Sequence, residues 1–103
     1  ADPQLAPTLR RIHEDPGRGI SAGSLAKDAA MSRSTFYARF QREIGVTPMN
    51  YVTGWRMALA KQLLQQRVAT AEIAQRVGYA SVSAFNTAFR RHVGMSPGTY
   101  QRS

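Results

Sequence analysis

The amino-acid sequence predicts an all-α fold of about seven helices, set out as two helix-turn-helix units joined by one long helix. Three observations carry that expectation. Apolar residues recur three and four positions apart along most of the chain, and no stretch alternates as a half-buried strand does. The chain also repeats itself: residues 32–51 laid on 81–100 share eight identities in twenty positions. These are Ser32/Ser81, Ser34/Ser83, Phe36/Phe85, Phe40/Phe89, Arg42/Arg91, Gly45/Gly94, Pro48/Pro97 and Tyr51/Tyr100. In both copies serine, proline and glycine stand where helices start and stop. A stacked solenoid takes about three or more repeats, so two copies describe a duplicated supersecondary unit. A length of 103 residues suits one compact domain or two very small ones fused.

Taken in order, a leading helix is expected at about Thr8–Glu14, with Leu9 and Ile12 inward, broken by Asp15-Pro16-Gly17. Ser21 then caps a short helix over Ala22–Ala30 whose inner face is Leu25, Ala26 and Ala29, with Gly23 weakening it. After the Met31-Ser32 turn, Ser32 caps a helix over Arg33–Ile44. Its Phe36, Phe40 and Ile44 make one stripe of a 3.6-residue period, and Gly45 ends it. Thr47-Pro48 opens the long helix, which runs to about Gln66 with Val52, Trp55, Leu59 and Leu63 as its stripe and Tyr51, Ala58 and Leu64 beside it. That stripe makes Trp55 a core residue. Gly54 inside it costs about 1 kcal/mol relative to alanine. In the second copy Thr70 caps Ala71–Val77, Gly78-Tyr79-Ala80 turns, Ser81 caps Val82–Val93, Gly94 stops it and Ser96-Pro97 starts a last short helix. The units are thus 1–47, a linker helix 48–66, and 67–103. Met31, Met49, Met57 and Met95 are simplest as gap fillers.

Composition narrows the chemistry. A hydrophobic fraction of 43% supports a packed core and excludes wholesale disorder. With no cysteine there is no disulfide and no thiolate metal site. His13 and His92 lie far apart in the chain, so no metal is expected. The longest uncharged run, Val77 to Phe89, falls well short of the roughly 18 apolar residues of a membrane span. No signal-peptide core stands at the N-terminus. No phosphate-cradling glycine loop, zinc-protease motif or paired carboxylates are present, so neither an enzyme nor a cofactor is expected. Lys and Arg number 14 against 6 Asp and Glu, a net charge of +8 that points to a polyanionic partner. The charge is uneven: residues 1–45 hold seven cations and five anions, residues 46–103 seven and one. Arginine, the main cation, presents a planar fork suited to phosphates and guanine edges, although its abundance also fits a solvated face.

The motifs Val77-Gly-Tyr-Ala-Ser, Phe85-x-x-x-Phe89-Arg-Arg and Gly94-Met-Ser-Pro97-x-x-Tyr100 resemble the DNA-binding domain of AraC/XylS-type bacterial transcription regulators. The first copy echoes them in Met31-Ser-Arg-Ser, Phe36-x-x-x-Phe40 and Gly45-Val-Thr-Pro48, and Trp55-Arg-Met-Ala-Leu-Ala is similar to that family's linker helix. The resemblance covers roughly residues 9–102. It implies a homeodomain-like fold in which the second helix of each unit enters one of two adjacent major grooves of double-stranded DNA. It further implies a cytoplasmic transcription activator that meets RNA polymerase, with neither a membrane nor a small-molecule site in this chain. Asp2-Pro3-x-Leu5-Ala-Pro7 and Ile12-His13-Glu14-Asp15-Pro16 resemble members with a cupin-type sensor domain upstream, which would make this chain the C-terminal half of a longer regulator. The sequence departs from the family's habit at Ala38 and Thr87, where many members carry arginine, and at Ala30, where glycine is usual and Gly78 retains it.

Helical geometry selects the contact residues. With Phe36 set at 0° and about 100° per residue, Ser34, Tyr37, Ala38 and Gln41 face away from the core. By the same count Ser83, Asn86, Thr87 and Arg90 face out from the second copy. Expected base readers are Arg33, Ser34, Tyr37, Ala38, Val82, Ser83, Asn86 and Thr87. Asn86 suits adenine N6/N7, Arg33 or Arg90 suits guanine O6/N7, and Val82 and Ala38 suit thymine methyls. Expected phosphate contacts are Ser32, Gln41, Arg42, Ser81, Arg90 and Arg91, the serines because they stand at helix starts. Tyr37 is equally well a packed surface tyrosine, and Arg39, on the flank, suits an ion pair within the fold. Two other readings stay open. One is an RNA-binding or chromosome-architectural protein, although exposed aromatics among the basic residues are nearly absent. In the other, one unit binds DNA while the less basic first unit contacts RNA polymerase.

Overall fold

Most helices of this protein begin or end by a local device that the sequence supplies. The computed structural model describes residues 2–103. Among them lie a 3-10 turn, Pro3–Leu5, and seven helices: α1 Ala6–Glu14, α2 Ala22–Asp28, α3 Arg33–Ile44, α4 Pro48–Gln65, α5 Thr70–Arg76, α6 Val82–Val93 and α7 Pro97–Arg102. The chain is all-α, as expected. Ser32, Thr47, Ser81 and Ser96 each accept a hydrogen bond from the backbone N–H three residues on, at 3.0–3.3 Å. Ser21 and Ser24 bond reciprocally, each accepting from the other's N–H. Each such cap is worth about 1 kcal/mol against alanine. Gly45 and Gly94 close α3 and α6 in the left-handed conformation, at φ +94° and +92°.

Three helices end on one further motif. In α2, α4 and α5 the residue after the C-cap is left-handed, and the next amide reaches back to a carbonyl five residues earlier: Met31 to Ala26, Val68 to Leu63, Tyr79 to Ala74. The left-handed residues are Ala30 at φ +57°, Arg67 at φ +64° and Gly78 at φ +96°. Boundaries of α2 and α5 therefore differ from expectation, Val77 being the C-cap of α5 rather than its last helical residue. α2 stops at Asp28 because Ala29 and Ala30 form its end. α5 includes Thr70, with Ala69 in the cap position and no side-chain cap, because the α4 ending uses residues through Val68.

The helices enclose two apolar clusters. The first joins Leu5, Ile12, Leu25, Ala26, Ala29, Phe36, Phe40 and Val52. The second joins Met57, Ala60, Leu63, Leu64, Ile73, Ala74, Val77, Phe85 and Phe89. The shared helix α4 serves both, and that corrects its expected stripe. From Val52, which faces the first cluster, the residues facing the second are displaced by about 90° on average round the helix. Trp55 falls on the opposite flank, so it is not core: it is 39% exposed and lies over the His13 ring at 4.3 Å between centroids. Ala58 is exposed as well, and Leu59 is half-buried. Of the methionines, Met57 is buried but Met95 is exposed.

The N-terminal segment is built into the first unit. α1 starts two residues earlier than expected, and Leu5, Thr8 and Ile12 turn inward while Leu9 is only partly buried. The buried Thr8 hydroxyl donates to the Leu25 carbonyl at 2.8 Å, which satisfies it. Arg39 pairs with Asp2 at 2.6 Å and donates to Gln4 Oε1 at 3.0 Å, the internal role its flank position suggested.

Candidate nucleic-acid interface

α3 and α6 are built alike. Each runs twelve residues from a serine cap to a left-handed glycine and buries a phenylalanine pair four residues apart. The rings of Phe36 and Phe40 are 5.6 Å apart and those of Phe85 and Phe89 are 5.7 Å apart, both tilted. These pairs fix the rotation of each helix about its axis, so what faces outward follows from the 3.6-residue period. On α3, Arg33, Ser34, Tyr37, Ala38, Gln41 and Arg42 are all exposed, Tyr37 at 48%. On α6, Val82, Ser83, Thr87, Arg90 and Arg91 are exposed and Asn86 is half-buried. Ser32 and Ser81 stand exposed at the two helix starts. Their oxygens accept from Thr35 and Ala84, which leaves each hydroxyl hydrogen free to donate outward.

Four arginines of these helices are uncommitted. The ion pairs among the described residues engage Arg11 with Asp28, Arg39 with Asp2 and Arg76 with Glu72. Arg33, Arg42, Arg90 and Arg91 take part in none of them. An exposed arginine without a carboxylate partner is free to meet an external anion at little desolvation cost. Arg33 has a particular seat. Its guanidinium lies across Gly23 of α2, where a methyl group would come within 2.7 Å of Nη2.

Arg91 is set apart from the other outward residues of α6. With Asn50, Thr53, Tyr79 and His92 it lines a cleft of about 510 Å³ between the two units. Asn50 and Thr53 were not among the sequence candidates, because nothing local connects α4 with α6 across some forty residues. The Thr53 hydroxyl is engaged with the Met49 carbonyl at 2.9 Å, whereas Asn50 is exposed at the cleft edge. No group of three or more potential metal ligands occurs among the described residues. Among the described residues no helix is long and apolar enough to cross a membrane.

Comparison with known proteins places this geometry. Residues 25–103 match the family model of a helix-turn-helix domain. A protein of Streptomyces lividans named as an AraC-like transcription regulator is 47% identical over 103 residues, covering 99% of this chain and 34% of that protein. The transcriptional regulator LumQ of Photobacterium leiognathi is 45% identical over 91 residues, covering 87% of this chain and 37% of LumQ. The chain therefore spans about a third of the length of the curated relatives it matches. Among solved structures, the DNA-binding domain of the transcriptional factor AdpA, in complex with a target DNA, superposes with a TM-score of 0.87. It is 30% identical, over 99% of this chain and 92% of that one.

Proposed function

The chain belongs to the AraC-type family of helix-turn-helix transcription regulators as a DNA-binding domain rather than an enzyme, and from that premise we propose how it reads DNA. One chain binds an asymmetric double-stranded site of about two helical turns, with α3 and α6 in adjacent major grooves on one face. The reading units are residues 1–47 and 67–103, held by the linker 48–66. The observation that carries this is the duplicated, outward-facing pair α3 and α6, equal in length, cap and buried face. Scale supports it too. α4, at 18 residues, is a rod of about 27 Å, and the molecule is 41 Å long, against about 34 Å between successive major-groove turns.

In this reading Asn86 pairs with adenine, Arg33 and Arg90 are the guanine candidates, and Val82 and Ala38 meet thymine methyls. Tyr37, Ser34, Ser83 and Thr87 complete the base-facing sets. Ser32, Gln41, Arg42, Ser81 and Arg91 hold phosphates, as does Arg90 where Arg33 is the guanine reader, and these contacts fix register without reading sequence. Once one unit docks, the other meets its half-site at high effective concentration, so two modest readers combine into a useful affinity. Within a longer cytoplasmic regulator, the domain would bring an upstream cupin-type sensor to a promoter and activate by contact with RNA polymerase.

Selection of bound sequences from a random DNA pool, followed by footprinting, tests the reading. Two contacted stretches one helical turn apart, of unlike sequence, are expected. Protection of a single groove would instead favour a first unit, with its lower charge, that serves as the polymerase contact. Tighter binding to RNA at matched salt would overturn the proposal altogether.

A further inference from the structure

The two units come close through their backbones at Gly17 and Gly78, and an arginine of the linker helix is wedged beside them. A methyl group built on Gly78, in the turn between α5 and α6, would lie 2.7 Å from the Gly17 carbonyl oxygen and 3.0 Å from its Cα. A methyl built on Gly17, in the loop after α1, would overlap the carbonyl oxygen of Arg76. The chains of the two units therefore approach as closely as glycine allows. Beside this contact the Arg56 Nε donates to the Pro16 carbonyl at 2.8 Å, in a partly buried setting. The Arg56 guanidinium also lies over the Tyr79 ring, 5.5 Å from its centroid, and its Nη2 is the third group that a methyl on Gly78 would meet, at 3.1 Å. One side chain of α4 thus holds a loop of the first unit and a turn of the second.

We propose that Arg56, with the Gly17–Gly78 contact, is a brace that fixes the angle between α3 and α6. That makes Arg56 a positioning residue for the spacing of the two half-sites. The inference rests on the two-groove reading above. Without the brace the units are joined mainly through α4, whose two apolar faces hold each unit to the rod but leave their rotation about it less restrained. DNA is sensitive to that freedom. Moving one half-site by a base pair turns its groove by about 35° as well as shifting it along the axis. A rigid pair accepts one spacing, and a loose pair accepts several.

The chain has no cysteine, so two can be introduced cleanly. Spin labels at Glu43→Cys on α3 and Ala84→Cys on α6, both exposed, report the distance between units in the free protein. One narrow distribution is expected in the parent. Arg56→Ala should broaden it, Arg56→Lys should keep most of its sharpness, and Gly17→Ala should move its centre by forcing the backbones apart. The same proteins are then titrated with the selected DNA site and with versions one base pair longer and shorter between half-sites. Arg56→Ala should level the affinities across the three spacings while leaving the base preference within each half unchanged. A distribution and a spacing profile both unchanged in Arg56→Ala and Gly17→Ala would overturn the brace. If the parent itself binds all spacings alike while the distances respond as expected, the two-groove reading fails and the spacing role falls with it. Should Arg56→Ala unfold, Gly17→Ala and Arg56→Lys carry the comparison.

Discussion

Ala30 shows what a single residue contributes when its neighbours dictate the backbone. Its place in the α2 ending requires φ +57°, where a Cβ crowds the carbonyl, and the equivalent turn of the second unit puts Gly78 there. Ala30→Gly is expected to raise stability by about 0.5–1 kcal/mol, read as a shift in urea midpoint at constant slope. The strain at Ala30 was legible only in part: the sequence marks the missing glycine, and the left-handed φ is what gives the departure its cost. Asn86 is the residue on which specificity is best tested. Asn86→Ala should lose about 1–3 kcal/mol against the selected site and relax preference in one half of it. Equal losses against target and scrambled DNA would remove it from the readers. Thr8 and Trp55 mark the limit of reading single residues. A threonine near the chain start carries no local sign that its hydroxyl will be buried under Leu25, and a tryptophan in an apparent stripe carries none that it will face solvent.

At the scale of elements, local sequence is informative where local forces decide. α3, α6 and α7 fall where their caps and stops put them, because a serine side chain, a proline at the first turn and a left-handed glycine all act within four residues. The apolar stripe of α4 departs from expectation for the converse reason, because tertiary packing decides it. Periodicity assumes that one face meets one core, whereas α4 turns Val52 to the first cluster and Met57, Ala60 and Leu64 to the second. Two substitutions separate these cases. Phe85→Ala removes a fully buried ring and should destabilise by about 3–5 kcal/mol, while Trp55→Ala should cost well under half of that despite the larger side chain. Paired denaturation curves followed by circular dichroism would check the ordering, and equal losses would return Trp55 to the core. The outward faces of α3 and α6 were legible as faces, since the phenylalanine pairs set their phase. What each side chain does there was less so: Arg33 leans on Gly23, and Arg91 turns to the cleft beside Asn50.

For the whole molecule, the net charge of +8 and its skew to residues 46–103 favour a polyanion, and the number of phosphates neutralised sets how steeply affinity falls with salt. Arg91→Ala is expected to weaken all sequences alike and to lower the slope of log affinity against log salt by about one. An unchanged slope would leave Arg91 as a lining of the cleft alone. Neutralising Arg90 and Arg91 together should lower affinity more than neutralising Arg33 and Arg42, if the second unit supplies most of the phosphate attraction. Fluorescence anisotropy at several salt concentrations measures both. By itself the sequence determined the fold class, the seven helices within a few residues, the two phenylalanine-backed faces and the class of partner. Caps, stops and 3.6-residue stripes are short-range, and charge is a sum that needs no coordinates. Only the tertiary structure decided which side of α4 meets which core, that Trp55 stays outside, and how the units are joined. The hydrogen bond from Arg56 to Pro16 closes forty residues of chain, and the approach of Gly17 to Gly78 closes still more. Contacts at that range leave no periodic trace along the chain, because they arise from how finished helices pack rather than from how each one forms.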